Sequence, residues 1–546
     1  MRKIKNPVLR GFHPDPSIVR VGDDFYIATS TFEWFPGVCI YHSRDLVNWN
    51  LVARPLDSVK KLPLAGIRAS GGVWAPCLSH DGKKFYLIYS IVRTWAGRGR
   101  SVEDPKDVDN FLITSKKIDG KWSNPVYLNS SGFDPSLFHD DDGRKWLVNM
   151  EWDDRPGRNH FSGILLQEYD PRKKMLVGNI KKIYTGTDIG LTEGPHIYKR
   201  NGWYYLLVAE GGTSYAHAVT LARSRNLEGP YETHPANPIL TSVSDREAFN
   251  RAIEKGEDFL SYVVPGLQKA GHASIAPLTN NKWIMAHLCG RPLKDTPYCP
   301  LGRETALQLC EWRDDDWLYV LDDNHPRQEI VLDLPPVDKK EDREFFDSFE
   351  NSTLDKVYQF PRIPLDKYVS LKDRPGFLRL YGRESIVSEF EQVLVARRVQ
   401  AFSWMAETCI EFEPENHQQR AGLVVKYDEA NQYYLRITRE DDGNIVLAVV
   451  AYDHGASSVL PSSEIVLSSS RVYLRAEMNY KDIYFSYSED GLKWQRIEHS
   501  FESWKLSDDY VEPMGFTGMF VGMACQDLTG RKRYADFEYF LYRELE

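Results

Sequence analysis

FDPSLFHDDDGRKWLVNM, residues 133–150, contains the pattern that decides the fold. A short apolar run near its start is followed by a polar turn and then by a strand that begins with an aromatic residue, which is typical of a β-hairpin. The pattern recurs as HPDPSIVRVGDDFYIATS (13–30), WAPCLSHDGKKFYLIYS (74–90), EGPHIYKRNGWYYLLVAE (193–210) and GHASIAPLTNNKWIMAHL (271–288). One hairpin is therefore repeated five times within the first 290 residues.

The first aromatic residue of each second strand marks the repeat. These markers are Phe25, Phe85, Trp146, Trp203 and Trp283, which are 60, 61, 57 and 80 residues apart. About 60 residues suit a four-stranded sheet, and such sheets repeated radially form a β-propeller. Five repeats predict five blades. The segment SDREAFNRAIEKGEDFL (244–260) is expected to be a helical insertion between the fourth and fifth blades, which explains the longest interval.

The chain has 546 residues, more than one hydrophobic core normally holds, so two domains are expected. We predict a propeller in 1–325 and a linker in 326–344, where a Pro pair precedes a charge cluster. Residues 345–546 again alternate between apolar and polar side chains, as in AGLVVKYD and QYYLRITR, which indicates an antiparallel β-sandwich. The predicted fold class is all-β, a five-bladed β-propeller followed by a β-sandwich.

The composition restricts the partners and the compartment. A net charge of −10 without basic runs argues against nucleic acid or an anionic membrane surface as a partner. The positive charges of MRKIKNPVLRGFHPDP precede no apolar stretch, so no secretory signal is expected, and no run of about 18 apolar residues predicts a membrane span. Seven cysteines without a CxxC pair favour a reduced, cytoplasmic protein. We also expect a homo-oligomer, either a dimer or a tetramer.

Asp15, Asp134 and Glu193 stand at corresponding points of repeats one, three and four, where repeats two and five have Trp74 and His272. The equivalent ends of the inner propeller strands form a ring, so these carboxyl groups should converge on one pocket. Such groups could bind a cation or cleave a glycoside, which requires one protonated and one ionised carboxyl. A third carboxylate can raise the pKa of the acid. The loop HDDDG (139–143) is the one segment that resembles a calcium loop, and a β-turn is the simpler interpretation.

Several longer motifs carry a family resemblance. They are NPVLRGFHPDPSIVRVGDDFYIATSTFEWFPG, GGVWAP, FDPSLFHDDDGRKWLVNMEWD, TEGPHIYK, GHAS, YCPLGRET and the distal FTGMFVGMACQDLTGRKRYADFEYF. Together they resemble the β-xylosidases of glycoside hydrolase family 43, of the longer type with a concanavalin-like jelly-roll sandwich at the C-terminus. The resemblance implies an exo-acting, inverting enzyme that removes xylose from the non-reducing end of β-1,4-xylooligosaccharides, with α-L-arabinofuranosidase as a side activity.

The resemblance also implies roles for individual residues. Asp15 would be the general base, Glu193 the general acid, and Asp134 the carboxylate that tunes and orients the acid. The implied substrate-binding residues are Phe32, Trp74, Trp152, His272, Arg303 and Phe516. Phe516 would reach across from the sandwich to close the pocket, and Arg291 is the rival of Arg303. No cofactor is expected to be required, and Ca²⁺ beside His272 is a hypothesis that the resemblance raises.

Two other functions stay open on the sequence. The same carboxyl ring could serve an enzyme that is primarily an α-L-arabinofuranosidase. A carbohydrate-binding propeller without catalysis is the alternative from another class, and the complete set of three carboxyls argues against it.

Overall fold

The computed structural model describes residues 1–96, 101–279, 281–340, 343–460 and 463–546. It confirms the predicted all-β class: five antiparallel sheets, one per repeat, are followed by two larger sheets. The inner strand of each of the five sheets contacts the inner strands on both sides, so the blades form a closed ring.

Each blade begins with its innermost strand and proceeds outward. Blade 1 contains Ser17–Val21, Asp24–Thr29, Cys39–Ser43 and Asn50–Ala53; blade 2 contains Gly72–His80, Phe85–Thr94, Asp107–Ser115 and Val126–Tyr127; blade 3 contains Ser136–His139, Lys145–Trp152, Phe161–Asp170 and Met175–Tyr184. Blade 4 contains Glu193–Arg200, Trp203–Glu210, Ala218–Ser224, Glu232–Thr233 and Leu240–Thr241; blade 5 contains Gln268–Pro277, Lys282–Gly290, Arg303–Trp312 and Leu318–Val320.

A two-stranded ribbon connects the beginning of the chain to the segment after blade 5. Arg2–Lys5 pairs antiparallel with Glu329–Leu332, which lies inside the predicted linker. Ile4 and Ile330 are buried in the apolar cluster shared by blades 1 and 5. This part of 326–344 is therefore fixed on the propeller.

Two facing sheets form the second domain, and their inner faces enclose one large apolar cluster. The first sheet contains Glu344–Asp347, Val369–Ser370, Leu378–Tyr381, Ser403–Glu411, Arg471–Asn479, Asp482–Ser488, Gln495–Arg496, Phe501–Glu502 and Tyr534–Glu544. The second contains Leu394–Arg398, Gln419–Lys426, Gln432–Arg439, Ile445–Asp453, Ala456–Val459, Ile465–Val466 and Phe520–Asp527.

The helix expected within 244–260 is present as Arg246–Lys255, followed by the 3-10 turn Leu260–Tyr262. Asp245 caps its first turn by accepting a hydrogen bond from the Ala248 amide, and Gly256 ends it with a left-handed φ of 67°. Within the described ranges, no helix is long and apolar enough to cross a membrane. All seven cysteines are buried, free thiols.

The two domains share apolar packing. Trp34–Phe35 of the propeller pairs with Phe360–Pro361, which precedes the second sheet of the sandwich. The rings of Trp34 and Phe520 stack with their centroids 3.6 Å apart and 11° between their planes. The cluster around them includes side chains of both domains, so the domains form one continuous core at this interface.

Trp34→Ala tests this interface. The side chain is 1% exposed, so its truncation should lower the free energy of unfolding by about 3–5 kcal/mol through lost burial and the cavity left behind. Urea denaturation followed by circular dichroism measures the change. Leu492→Ala is the control, because Leu492 is 85% exposed and should change stability by no more than about 0.5 kcal/mol. Equal stability of the two variants would contradict the shared core.

Candidate active site

At an equivalent point near the channel mouth, the inner strand region of every blade contains a residue with left-handed backbone. These residues are Asp15 (φ 53°), Ala75 (34°), Asp134 (54°), Gly194 (59°) and His272 (42°). Regular pairing with the second strand begins or resumes two residues later in blades 1 to 4, and one residue later in blade 5. Gly, Asp and His adopt this conformation more readily than most residues. The repeated break brings Asp15, Asp134 and His272 into the wall of one cavity.

The observed register differs by one residue from the sequence prediction, which aligned Trp74 and Glu193 with Asp15 and Asp134. Trp74, Phe133 and Glu193 stand immediately before the left-handed positions of blades 2, 3 and 4. They also line the cavity, so blade 3 contributes the two successive residues Phe133 and Asp134 to this ring, whereas each of the other blades contributes one. The prediction missed Phe133, although its place before Asp134 could have identified it.

Asp15 is a buried carboxylate with two polar partners. Its Oδ2 accepts a hydrogen bond from Ser30 Oγ (2.6 Å), and its Oδ1 lies 3.4 Å from His272 Nδ1. Burial alone would raise the pKa of Asp15, but the hydrogen bond and charge of His272, the charge of Arg303 and the Ser30 bond lower it to about 2. Ser30 also accepts a bond from the Ala75 amide (2.8 Å), which fixes the carboxylate between blades 1 and 2.

Asp134 and Glu193 hold a proton more tightly than ordinary carboxyl groups. Burial and the charge of Asp15 raise the pKa of Asp134 against the opposing charge of His272. Burial and the charge of Asp134 raise the pKa of Glu193. Asp134 Oδ2 accepts a hydrogen bond from the Gly194 amide (3.0 Å), which joins this carboxyl to the residue next to Glu193. Near neutral pH the site therefore combines an ionised Asp15 with a protonated Glu193.

His272 supplies positive charge to this cluster. Burial lowers its pKa, but the bond to Asp15 and the charges of Asp134, Asp15 and Glu193 raise it to about 9. The side chain is thus an imidazolium at neutral pH. Its ring lies against Gly194, where an added Cβ would be 2.9 Å from the ring atoms Cδ2 and Nε2. A glycine at 194 therefore provides the space that the imidazolium occupies.

Aromatic side chains form the apolar wall of the cavity. The ring of Phe516, from the sandwich, lies 4.8 Å from Trp95, 5.5 Å from Trp74 and 5.8 Å from Phe32 between centroids. Trp152 is only partly buried, and the Lys106 ammonium lies 3.6 Å from its ring centroid. Apolar faces of sugar rings pack on aromatic side chains, so this wall suits a carbohydrate.

Arg303 faces the cavity, whereas Arg291 is engaged elsewhere. Arg303 donates to Phe516 O (2.8 Å) through Nη2 and to Thr213 Oγ1 through Nη1, and it is 3% exposed. Arg291 forms a two-point ion pair with Glu304, at 2.6 and 2.8 Å. Of the two candidates, the structure brings Arg303 to the carboxyl cluster.

One cavity of about 500 Å³ takes in every residue that the sequence predicted for the site. They are Asp15, Phe32, Trp74, Asp134, Trp152, Glu193, His272, Arg303 and Phe516. The prediction missed Trp95, Lys106 and the loop 211–214, which also line it. Trp95 and Thr213 stand outside the repeated hairpin units, so the repeat could not identify them.

The surroundings of His272 do not fit a directly bound cation. The Nδ1 atom of His272 faces the Asp15 carboxylate at 3.4 Å. In the part of the chain that the structure describes, no group of three or more His, Cys, Asp or Glu side chains could hold a metal ion. Calcium beside His272 thus stays a hypothesis without support from the donor groups.

The loop HDDDG (139–143) is a hairpin turn. The Gly143 amide donates to Asp140 O (3.0 Å), which closes the turn between the first two strands of blade 3. The Asp140 carboxylate contacts Lys199 Nζ at 2.7 Å, and that of Asp142 contacts Arg144 Nε at 2.8 Å. These two carboxylates are paired with cationic side chains of the protein.

A propeller pocket with an aromatic wall, an ionised carboxylate and a protonated carboxyl defines a class of protein, the hydrolases that cleave glycosidic bonds by acid and base catalysis. The sequence profile described as Glycosyl hydrolases family 43 matches residues 4–318, and that of the Beta xylosidase C-terminal Concanavalin A-like domain matches residues 346–543. The chain therefore belongs to glycosyl hydrolase family 43, and it is a glycoside hydrolase.

Three relatives show how far the similarity extends. The chain is 47% identical to the Beta-xylosidase of Bacillus subtilis (strain 168), over 99% of this chain and 100% of the relative. It is 46% identical to the Xylosidase/arabinosidase 43B of Humicola insolens, over 100% and 98% of the two chains. The crystal structure of xylan beta-1,4-xylosidase from Bacillus halodurans C-125 superposes with a TM-score of 0.91 at 49% identity, covering 99% and 100% of the two chains.

Asp15→Asn tests the charge pairing within the cluster. Because a negative neighbour stabilises the imidazolium, removal of the Asp15 charge should lower the pKa of His272 from about 9 toward its ordinary value. A pH titration of ¹³C-labelled histidine by NMR measures this change. Asp441→Asn is the control, since the Asp441 side chain is fully exposed in the sandwich. A His272 pKa that is the same in both variants would contradict the pairing.

Proposed function

We propose that this protein is an exo-acting, inverting β-1,4-xylosidase that releases xylose from the non-reducing end of xylooligosaccharides. One observation carries the proposal: a single pocket holds Asp15 with a lowered pKa and Glu193 with a raised pKa. Inverting cleavage requires this pair, because one group must accept a proton from water while the other donates one. The similarity to proteins named beta-xylosidase supports xylose as the sugar.

In the proposed mechanism Asp15 is the general base. Its carboxylate accepts a proton from a water molecule, whose oxygen attacks the anomeric carbon. Glu193 donates its proton to the glycosidic oxygen as the bond to the leaving sugar breaks. The β-linkage is thereby converted into α-xylose, with one proton gained by Asp15 and one lost by Glu193.

The other residues of the pocket prepare these two groups. Asp134 keeps Glu193 protonated through its charge and binds the Gly194 amide, which positions the acid. His272 and Arg303 hold Asp15 in the ionised form. Phe32, Trp74 and Trp152 are proposed to bind the sugars through their ring faces.

The shape of the pocket favours cleavage from a chain end. Phe516 and the side chains it contacts close one wall of a cavity of about 500 Å³. Such a volume accommodates a short oligosaccharide. A xylan chain cannot pass through a closed wall, so only its terminus reaches the carboxyl groups.

Activity on α-L-arabinofuranosides is proposed as a side activity. The specific support is the relative from Humicola insolens, which is named a xylosidase/arabinosidase and is 46% identical. We also propose that no metal is required and that the enzyme is a cytoplasmic dimer or tetramer. The seven free cysteines are compatible with a reducing compartment.

Xylobiose hydrolysis followed by proton NMR tests the proposed function. We expect signals of α-xylose to appear first and those of β-xylose to grow only by mutarotation. A parallel sample is treated exhaustively with a chelator, and a loss of activity in that sample alone would show that a metal is required. First release of β-xylose would overturn the inverting mechanism, and absence of xylose would overturn the xylosidase. A higher rate on an aryl α-arabinofuranoside than on an aryl β-xyloside would reverse the substrate preference.

Two carboxyl variants test the roles of the acid and the base. Each loss on xylobiose should be about 10²–10⁴-fold, the usual contribution of acid or base catalysis. Glu193→Ala should recover much of its loss on an aryl xyloside with a good leaving group, because departure then needs little protonation. Asp15→Ala should lose activity on both substrates.

Steady-state kcat/KM on both substrates measures the difference between these variants. Asp23→Ala, at a side chain that is 93% exposed in a blade 1 turn, is the control and should retain full activity. Equal losses of Glu193→Ala on the good and the poor leaving group would contradict the assignment.

A further inference from the structure

The segment 66–70, between blades 1 and 2, is held by the sandwich domain. Three hydrogen bonds join them: from Gly66 N to Glu389 O (2.7 Å), from Arg362 Nε to Ile67 O, and from Phe516 N to Ser70 Oγ (2.9 Å). Each bond connects a propeller residue to a sandwich residue about 300 or more positions later in the chain. The segment is therefore a docking point for the second domain.

The same segment also holds two aromatic residues of the pocket. Ser70 O accepts a hydrogen bond from Trp74 Nε1 (2.9 Å). Arg68 donates to Ala96 O, and its guanidinium lies 5.6 Å from the ring centroid of Trp95. Trp74 and Trp95 both line the cavity, so the docking point and the pocket wall share this short piece of chain.

Ser70 uses all of its polar groups in these contacts. Its amide donates to Glu33 Oε2 (2.9 Å), its carbonyl accepts from Trp74, and its hydroxyl accepts from the Phe516 amide. The residue is 3% exposed and has a left-handed φ of 62°. Its three bonds thus join blade 1, the pocket wall and the sandwich at one buried point.

Phe516 transmits the effect of this bond to the substrate site. Its amide is held by Ser70, its ring packs on Phe32, Trp74 and Trp95, and its carbonyl accepts a bond from Arg303 Nη2 (2.8 Å). A shift of the Phe516 backbone would therefore move an aromatic wall and an acceptor of Arg303 together.

We propose that Ser70 is a positioning residue that couples the docking of the sandwich domain to the shape of the sugar pocket. The proposal rests on the proposed function for its substrate. Ser70 lies behind the wall, so it acts through Phe516 and Trp74. A residue that only joined the domains would affect stability, whereas a positioning residue also affects the affinity for the sugar.

Ser70→Gly is the central test. Glycine adopts the left-handed φ without strain and keeps the backbone bonds to Glu33 and Trp74, so only the CH2OH side chain with its hydroxyl is lost. The Phe516 amide then lacks a buried acceptor, and we expect KM for xylobiose and Kd for xylose to rise about five- to twentyfold. The change in kcat should stay within about threefold, because the wall contacts substrate and transition state alike.

Ser463→Ala is the matched control. The Ser463 hydroxyl accepts a hydrogen bond from the Val449 amide (2.8 Å), is equally buried, and lies within the sandwich outside the pocket. It should lower Tm as Ser70→Gly does but leave KM and Kd unchanged. Ser70→Cys keeps a weak acceptor, so its KM and Kd should lie between those of the wild type and Ser70→Gly. This second variant also tests the proposal if Ser70→Gly does not fold.

Kinetics on xylobiose, calorimetric titration with xylose and thermal unfolding provide the three readouts. KM and Kd of Ser70→Gly within twofold of the wild type, with Tm lowered as in the control, would overturn the positioning role. Wild-type protein that neither cleaves xylobiose nor binds xylose would overturn the proposed function instead. In that case hydrogen exchange of peptides covering 514–518 decides the positioning role. Exchange should be at least tenfold faster in Ser70→Gly than in Ser463→Ala, and equal rates would overturn it.

Discussion

The left-handed residue in the inner strand region of each blade is the constraint on which the active site depends. A regular strand would alternate its side chains between two faces, and only every second residue would reach the channel mouth. The left-handed residue interrupts this alternation, and in blade 3 both Phe133 and Asp134, which are successive residues, line the cavity. In blades 1 to 4 the next residue is proline, which has no amide to contribute to the interrupted ladder. Ala75 is the exception among the five left-handed residues, since it has neither the conformational freedom of glycine nor the polar side chain of Asp or His.

The cluster produced by this geometry would be unstable without its cations. Three carboxyl groups withdrawn from water repel one another, and each can reduce the repulsion by taking up a proton. His272 and Arg303 oppose that tendency, and their charges act most strongly on Asp15 because His272 is its direct partner. Burial keeps the pKa values of Asp134 and Glu193 raised, and among the residues that the structure describes neither carboxyl has a cation as a hydrogen-bonding partner. Because positive charge acts more strongly on Asp15 than on Glu193, the pKa of the base lies below that of the acid.

The repeat predicted the five blades because the aromatic markers and polar turns belong to local hairpins. It also brought Asp15, Asp134 and His272 to one ring, since each repeat contributes the same point of its strand. The one-residue error at Glu193 arose because this residue was aligned with Asp15 and Asp134 on its acidic side chain. In those two repeats a proline follows the aspartate, and in the fourth repeat the residue before the proline is Gly194. The repeated hairpin pattern could not predict the contacts of Ser70. Its partner Phe516 is 446 residues away, and neither residue belongs to the repeated hairpins.

The second domain is part of the pocket because the two backbones touch directly. An added Cβ at Gly302 would lie 2.1 Å from Thr517 O, and one at Gly518 would lie 2.7 Å from Leu301 O. The Met519 amide donates to Pro300 O at 3.1 Å, next to these close contacts. A side chain can change its rotamer when a neighbour moves, but two backbone segments in direct contact cannot adjust in this way. The segment that contains Phe516 is therefore anchored to blade 5 by direct backbone contacts. In the proposed function the wall at Phe516 excludes the continuing end of a polymer, so the sandwich would select chain ends by shape while the propeller supplies the chemistry.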